Sequence, residues 1–333
     1  MQLPPDLKAG LDDVLGALSA GRLKASALDL SRRYRAGPGQ GRLPLLQSTQ
    51  DVSAYLAVRL PATYAAVHQA LRQAFAALPD CLPASQLDVG AGPGTAAWAA
   101  AATWSSIEAC TFVERDAEMI RLGQRLAEHA AADPLRTANW LAADLAHMRE
   151  LPSHDLVTAA YVVGELSEVA QDRLVGQLWQ ATEDLLVLVE PGTPAGFARI
   201  RRARSQLLAS GAHLAAPCPH ELACPMAGGD WCHFAQRVER SALHRRTKGA
   251  ELGHEDEKFS FIAASRQAAL PITGRIIRHP QARSGHVRLE ICGPEGLRNE
   301  VVARSEGARY RAAKGLTWGA QLPWLSPGPD DPS

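Results

Sequence analysis

The sequence predicts an α/β fold built on a mostly parallel sheet, with a helical subdomain before it and a small β-rich unit after it. Three observations carry that expectation. From Gln86 onward, short apolar runs at Gln86 to Val89, Ala109 to Val113, Asn139 to Ala142, Asp155 to Val163 and Leu185 to Val189 alternate with helical windows, the pattern of crossover units on a parallel sheet. The first run ends in a glycine-rich turn, Gly90-Ala91-Gly92-Pro93-Gly94, at the carboxyl edge where doubly wound sheets bind ligands. Apolar residues make up 46% and charged residues 21% of the 333 positions, enough for a sizeable core, and at about 150 residues per domain the length allows two domains.

The elements follow in order. Residues 1–80 read as a helical N-terminal subdomain: Leu11, Val14, Leu15 and Leu18 recur at helical spacing, and Ser48 to Leu78 does the same after the Gly/Pro stretch at Ala36 to Pro44. Residues 81–212 form the alternating core and end in a helix expected at Gly196 to Ser210. Periodicity is then lost among Pro, Gly, Cys, His and Trp between His213 and His233, so residues 213–258 read as a Cys-rich insertion. An apolar run at Phe259 to Ser265 makes 259–270 a strand returning to the core. Residues 271–318 alternate in short pieces around Gly285, Gly293 and Gly296 and read as a β unit, and 319–333 as a disordered Pro/Asp-rich tail.

Charge and targeting narrow the function classes. Lys plus Arg number 35 and Asp plus Glu 35, with a pI near 7.2, which excludes a wholly basic nucleic-acid coat. The longest small or apolar stretch, Ala96 to Trp104, is broken by Thr103 and falls short of the roughly 18 residues of a membrane span. No membrane role is expected. The segment Met1 to Gly21 has neither a signal pattern nor an Arg-rich transit pattern, so a cytoplasmic location is expected, and with it a monomer. Six cysteines are too few for a disulfide scaffold; clustered in a reducing compartment, they point to metal or catalysis.

In Leu87-Asp88-Val89-Gly90-Ala91-Gly92-Pro93-Gly94 the glycines are spaced G-x-G-x-G, not as in the dinucleotide fingerprint. The loop resembles the S-adenosylmethionine (SAM) loop of class I methyltransferases. In that resemblance Glu114, at the end of the second strand, takes both ribose hydroxyls, Asp144 after the third strand meets the adenine amino group, and Asp88 faces the methionine end. An ordinary strand-to-helix turn followed by solvated carboxylates is the competing reading. The fourth strand ends in Ala160-Tyr161-Val162-Val163-Gly164-Glu165-Leu166, without the Asn/Asp-Pro-Pro-aromatic motif of amine methyltransferases, and the Pro-Cys nucleophile of the cytosine C5 type is absent too. Tyr161 and Glu165 are the remaining acceptor-site candidates, and each suits core packing or a helix start better.

Cys218, Cys224 and Cys232 are spaced C-x5-C-x7-C, and Cys292 follows sixty positions after Cys232. Four thiolates complete a set for zinc or an iron-sulfur cluster; spacing does not separate the two, and His220 or His233 can replace one thiolate. Cys81 and Cys110 read as free thiols of the sheet region. Basic runs add a phosphate-binding reading: Arg199, Arg201, Arg202 and Arg204 on one helix, then Arg237, Arg240, Arg245, Arg246 and Lys248, then nine basic against four acidic residues from Arg275 to Lys314.

Taken together, Ala54 to Tyr64, the glycine loop, Val189-Glu190-Pro191-Gly192-Thr193-Pro194, Cys218-Pro219-His220, Cys224-Pro225, Trp231-Cys232-His233-Phe234, and Gly285-His286-Val287 before Cys292 resemble the methyltransferase-like ribosomal small-subunit assembly family, from about residue 50 to Trp318. The resemblance implies a class I SAM-dependent methyltransferase (Rossmann-like) fold and binding to small-subunit ribosomal RNA or its assembly intermediates. It implies a [4Fe-4S] cluster, with zinc as the alternative, on Cys218, Cys224, Cys232 and Cys292. Around SAM it implies Asp88, Gly90, Ala91, Gly92, Gly94, Glu114 and Asp144, with Thr193 and Pro194 at the rim; RNA would meet the run from Arg237 to Lys248. The missing transit pattern and the Ala/Arg-rich composition point to a bacterial member. Three functions follow as expectations: an RNA-binding assembly factor with little or no turnover, an active ribosomal RNA methyltransferase, or a small-molecule methyltransferase with a structural zinc.

Overall fold

A computed structural model describes residues 1–16, 49–239 and 253–324. Helices α1 (Pro5–Gly16), α2 (Thr49–Val58) and α3 (Leu60–Ala77) lead into β1 (Ser85–Val89), α4 (Thr95–Ala101), β2 (Ala109–Glu114), α5 (Ala117–Ala127), α6 (Asp133–Arg136) and β3 (Asn139–Ala142). Then come β4 (His154–Ala160), α7 (Glu168–Gln180), β5 (Thr182–Pro191), α8 (Pro194–Ala209), β6 (His213–Ala216), β7 (Phe234–Glu239) and β8 (His254–Ser265). The last unit holds β9 (Arg275–Ile276), β10 (Gln281–Arg283), β11 (His286–Gly293), β12 (Gly296–Ala303) and α9 (Ala308–Gly315).

Eight strands make the main sheet in the order β3-β2-β1-β4-β5-β8-β6, with β7 also on β8. The first five are parallel, and β8 runs antiparallel to β5, β6 and β7. A parallel half read outward from β1 in both directions, closed by one reversed strand, is the class I SAM-dependent methyltransferase topology. Along β5 the side chains split by the period of two: Leu185, Val187 and Val189 join one core, Leu186 and Leu188 the other. All five are at most 1% exposed, each worth about 1.5–3 kcal/mol of burial. The first core is roofed by α1 to α5 and the second by α7 and α8.

Several boundaries differ from the sequence expectation. The N-terminal helices do not stand apart: α1, α2 and α3 pack into the same apolar cluster as α4, α5 and the sheet, because a sheet buried on both faces needs a helical layer on each. Both flanks of the Cys-rich stretch are sheet strands. β6 and β7 lie on one edge of β8, against Ala263 to Ser265 and His254 to Phe259 respectively, and the irregular loop between them is 217–233. The return strand therefore begins at His254, with the polar half of β8 paired to β7.

The C-terminal unit is a four-stranded antiparallel sheet, β10-β11-β12 with β9 on β11, around Ile276, Val287, Leu289, Ile291 and Val302. It extends past residue 318 into the expected tail: Gly319 and Leu322 donate to Ile276 and Gly274, Leu322 is buried, and Trp324 Nε1 donates to Glu300 at 2.9 Å. The apolar Leu322 and Trp324 pack into the same cluster as Ile276 and Leu289, a contact that the Pro/Asp-rich composition of the expected tail does not announce.

Candidate functional site

Gly90, Gly92 and Gly94 turn the chain from β1 into α4 with φ of 67°, 55° and 80°, values at which a side chain is strained. A Cβ on Gly90 would lie 2.5 Å from Val162 Cγ2, whereas one on Gly92 would meet nothing within 4 Å. The loop thus packs tightly below and is open above Gly92. The backbone N–H groups of Gly90 and Ala91 donate to the Val113 carbonyl at 2.8 and 3.1 Å, which fastens the loop to the end of β2.

Glu114 closes β2 and accepts from the N–H groups of Gly92, Arg115 and Asp116 at 2.8, 2.8 and 2.9 Å. Its carboxylate is fixed beside the loop, with lone pairs to spare. Asp144, beyond β3, accepts from Ala146 N–H at 2.9 Å and stands 3.7 Å from His147 Nδ1. Parallel register brings Asp88, Glu114 and Asp144 to one edge of the sheet.

Asp88 is 1% exposed. Thr158 of β4 donates to its Oδ1 at 2.8 Å, and its Oδ2 has no partner among the described residues. Burial, against the help of Thr158, pushes its carboxyl up to about 7 from 3.8. A raised carboxyl pKa means that the folded protein holds the proton more tightly than the unfolded chain, so this stability is whole below about pH 4 and lost as pH rises through about 7. Asp88→Asn is therefore expected to be more stable than the parent at pH 8, by on the order of 2–4 kcal/mol, with the gain shrinking toward pH 4. Urea unfolding at the two pH values checks it; an equal difference at both would show that the proton is irrelevant.

At the end of β4, Tyr161 has φ of 60°, the one non-glycine positive φ among the described residues, a strain of about 1–3 kcal/mol. Its OH donates to Glu257 Oε1 at 3.1 Å; Arg59, between α2 and α3, donates to both oxygens of Glu257 at 2.9 and 3.2 Å. The Arg59 guanidinium lies 5.5 Å from the Tyr161 ring centre. Tyr161 is therefore braced by β8 and the helical layer. Glu165, its carboxyl raised by burial, stands 3.4 Å from Arg115. Sequence reasoning missed Arg59 and Glu257, whose pairing spans 198 positions.

Cys218, Cys224, Cys232 and Cys292 all line one cavity between the 217–233 loop, α8 and the C-terminal unit. Trp231 Nε1 donates to Gly192 O at 3.0 Å and Ser260 Oγ to Cys232 O at 2.8 Å, holding the loop to β5 and β8. Burial first, then neighbouring cysteines, pushes the Cys232 and Cys292 thiols up, Cys292 to about 12; burial also raises Cys218, against Arg204. His220 Nε2 lies 3.8 Å from Cys292 Sγ; His233 instead stacks on Trp231. Among the described residues, no group of three or more His, Cys, Asp or Glu is placed to hold a single metal ion. Cys110 is buried and Cys81 half-buried, both free.

Three arginines that the sequence reading assigned to phosphate binding line this cavity: Arg204 and Arg275, both buried, and Arg201, which is exposed. A signal for Arg204 existed, since Phe197, Ile200, Arg204 and Leu207 share one helical face. The rest of that run is also engaged: Arg199 with Glu190 at 2.6 Å, Arg202 with Asp172 and Glu168, and Arg201 with Met226 O at 3.3 Å. Arg237 pairs with Asp256 at 2.9 Å, directly across β7 and β8. Arg240, Arg245, Arg246 and Lys248 lie outside the described residues.

A family model described as mitochondrial small ribosomal subunit Rsm22 matches residues 49–323. The chain belongs to the Rsm22 family. It is 30% identical over 311 residues to the human "Ribosome assembly protein METTL17, mitochondrial", covering 86% of this chain and 66% of that protein. To the Schizosaccharomyces pombe "Rsm22-cox11 tandem protein 2, mitochondrial" it is 24% identical over 376 residues, covering 94% of this chain and 49% of that protein. The chain thus spans about two thirds of the human relative and half of the yeast one. Among solved structures, magnesium protoporphyrin IX methyltransferase from Synechocystis with bound SAH is similar at TM-score 0.42 and 13% identity, covering 71% of this chain and 94% of that one; at that distance nothing about substrate or reaction follows.

The Rsm22 match corrects one expectation. Its relatives in human and yeast are mitochondrial by name, which overturns the expectation of a cytoplasmic location. The expectation rested on a missing transit pattern in Met1 to Gly21; targeting segments are read by receptors and leave no mark on the fold. No described helix is long and apolar enough to cross a membrane.

Proposed function

We propose that this Rsm22-family chain is a SAM-binding, iron-sulfur, methyltransferase-like protein that acts in assembly of the small ribosomal subunit by binding its ribosomal RNA. One observation carries the reading: cysteines from two segments sixty positions apart, Cys232 and Cys292, line a single cavity together with Cys218 and Cys224, in a chain whose human relative is a ribosome assembly protein by name.

The residues suit both groups. For SAM, the space above Gly92 leaves room for a ligand; Glu114 would take the two ribose hydroxyls, Asp144 the adenine amino group, and Asp88 would face the methionine end. For the cluster, Cys218, Cys224, Cys232 and Cys292 are four thiol donors. A lone zinc with Zn–S of about 2.3 Å would draw its four sulfurs to roughly 3.8 Å of one another. A cubane takes one thiolate per iron and accepts wider spacing. When bound, the cluster would supply a structural tie and a one-electron redox centre.

RNA binding without turnover is favoured over methyl transfer because Tyr161 and Glu165 are both engaged, with Glu257 and with Arg115. The C-terminal unit would add phosphate contacts to the run from Arg237 to Lys248, since Arg283, Arg288, Arg304 and Arg311 are exposed and make no ion pair among the described residues.

Two experiments test the reading. Equilibrium dialysis is expected to detect SAM binding that Glu114→Ala weakens at least about tenfold, or about 1.4 kcal/mol; unaltered affinity would remove Glu114 from the site. Incubation with small-subunit RNA and labelled SAM is expected to give salt-sensitive binding without RNA methylation. Methylated RNA would make the protein an active ribosomal RNA methyltransferase, and absence of RNA binding would favour a small-molecule methyltransferase with zinc.

A further inference from the structure

The cysteine cavity contains two buried positive charges that form no ion pair with an acid among the described residues. Arg204 of α8 is 4% exposed and Arg275 of β9 2%. Arg204 Nη2 donates to the carbonyls of His220 and Leu222 at 3.0 and 2.6 Å. Arg275 Nε donates to Pro217 O and its Nη1 to Gly319 O, both at 3.0 Å. These four hydrogen bonds end on neutral carbonyls, and Arg204 also hydrogen-bonds the side chain of Cys218. One nitrogen of each, Arg204 Nε and Arg275 Nη2, is buried with no hydrogen-bond partner among the described residues.

Arginine keeps its charge in proteins, and a buried charge without a counter-charge is among the most unfavourable features a fold can hold. Apart from the exposed Arg201, the other polar side chains that line the cavity are His220, Ser260 and the four cysteines, so among the described residues a counter-charge has to come from these. A histidine and a serine do not supply negative charge. Four thiolates around a doubly positive metal core carry a net charge of about −2, which two arginines neutralise.

We propose that Arg204 and Arg275 are the counter-cations of a tetrathiolate centre, neutralising it and setting the ease with which it accepts an electron. The proposal rests on the iron-sulfur reading above. Both arginines also bind loop carbonyls beside the cysteines, Arg275 that of Pro217 and Arg204 those of His220 and Leu222, so each fixes the loop and still keeps a buried nitrogen unpartnered among the described residues. Net charge and hydrogen bonds around the sulfurs are two of the levers that set cluster potentials.

The test uses the full chain purified without oxygen, as parent and as Arg204→Gln, Arg275→Gln, Arg204→Lys and Arg275→Lys. Iron is assayed in each, the centre is titrated with dithionite against a redox dye, and its release to a ferrous chelator is timed. Loss of positive charge is expected to move the midpoint to more negative potential and to speed release at least tenfold in the Gln variants, while the Lys variants, which keep the charge, stay near the parent. Unchanged midpoint and release in iron-loaded Gln variants would overturn the proposal, as would equal shifts in Lys and Gln, which would mark a packing role. If the Gln variants fail to fold, Lys variants decide: a parent-like midpoint supports charge compensation, and a shifted one overturns it. A parent chain free of iron would sink the underlying iron-sulfur reading, which the assay reveals before any variant is compared.

Discussion

Cys292→Ser is expected to strip the metal from the protein and to free the C-terminal unit from Arg275 onward as one piece. Cys292 lies on β11 in register with Arg275 of β9 and Leu297 of β12, so its sulfur is the covalent reach of that sheet into the cavity. The other three donors belong to the loop between β6 and β7. Binding free energy at a structural metal is folding free energy, on the order of 10 kcal/mol for small thiolate sites, against about 0.5 kcal/mol for an ordinary surface substitution. Limited proteolysis and iron assay read the outcome: cleavage should appear between Ser265 and Arg275, with iron lost. Cys110→Ser is the control, since Cys110 is buried in the first core, away from the cavity; it should destabilise by about 1–3 kcal/mol yet keep its iron. Unchanged protease resistance and iron in Cys292→Ser would mean that the unit is held by apolar contact alone.

A pair of substitutions in the glycine loop separates fold from ligand. Gly90→Ala places a methyl group 2.5 Å from Val162 Cγ2 at φ of 67°. The left-handed backbone costs about 1–2 kcal/mol and overpacking about 1–3 more, so a loss of about 2–5 kcal/mol is expected together with loss of SAM binding. Gly92→Ala meets nothing within 4 Å at φ of 55°. It should cost only the backbone contribution, about 1–2 kcal/mol, yet still abolish SAM binding, because the new methyl group occupies the space above the loop. Thermal unfolding and dialysis against SAM read both. Full SAM affinity in Gly92→Ala would place any ligand elsewhere.

Features fixed by local pattern were legible in the sequence. The apolar runs from Gln86 to Val189 correspond to β1 to β5 in parallel order, and the glycine loop falls between β1 and α4, since strand periodicity and glycine spacing are short-range signals. What was not legible depends on partners remote in sequence. β6 and β7 are each only four to six residues long and polar in part, so neither announces itself without β8 beside it. Arg237 reads as a free cation until the register sets Asp256 across from it. Arg204 and Arg275 were counted with a phosphate surface because a basic residue is presumed solvated; folding instead buries each beside the cysteines. The packing of α1 to α3 on the sheet was hidden for the same reason, as helical periodicity shows that a face is buried but not against what.

The account turns on four sulfurs meeting at one inorganic centre. The most direct measurement is the iron, sulfide and zinc content of the full chain isolated without oxygen, read together with its visible spectrum. About four iron and four sulfide per chain, with broad absorption near roughly 400 nm, is the result predicted for a thiolate-bound cubane. A colourless protein with neither iron nor sulfide would contradict the account, whatever its affinity for SAM.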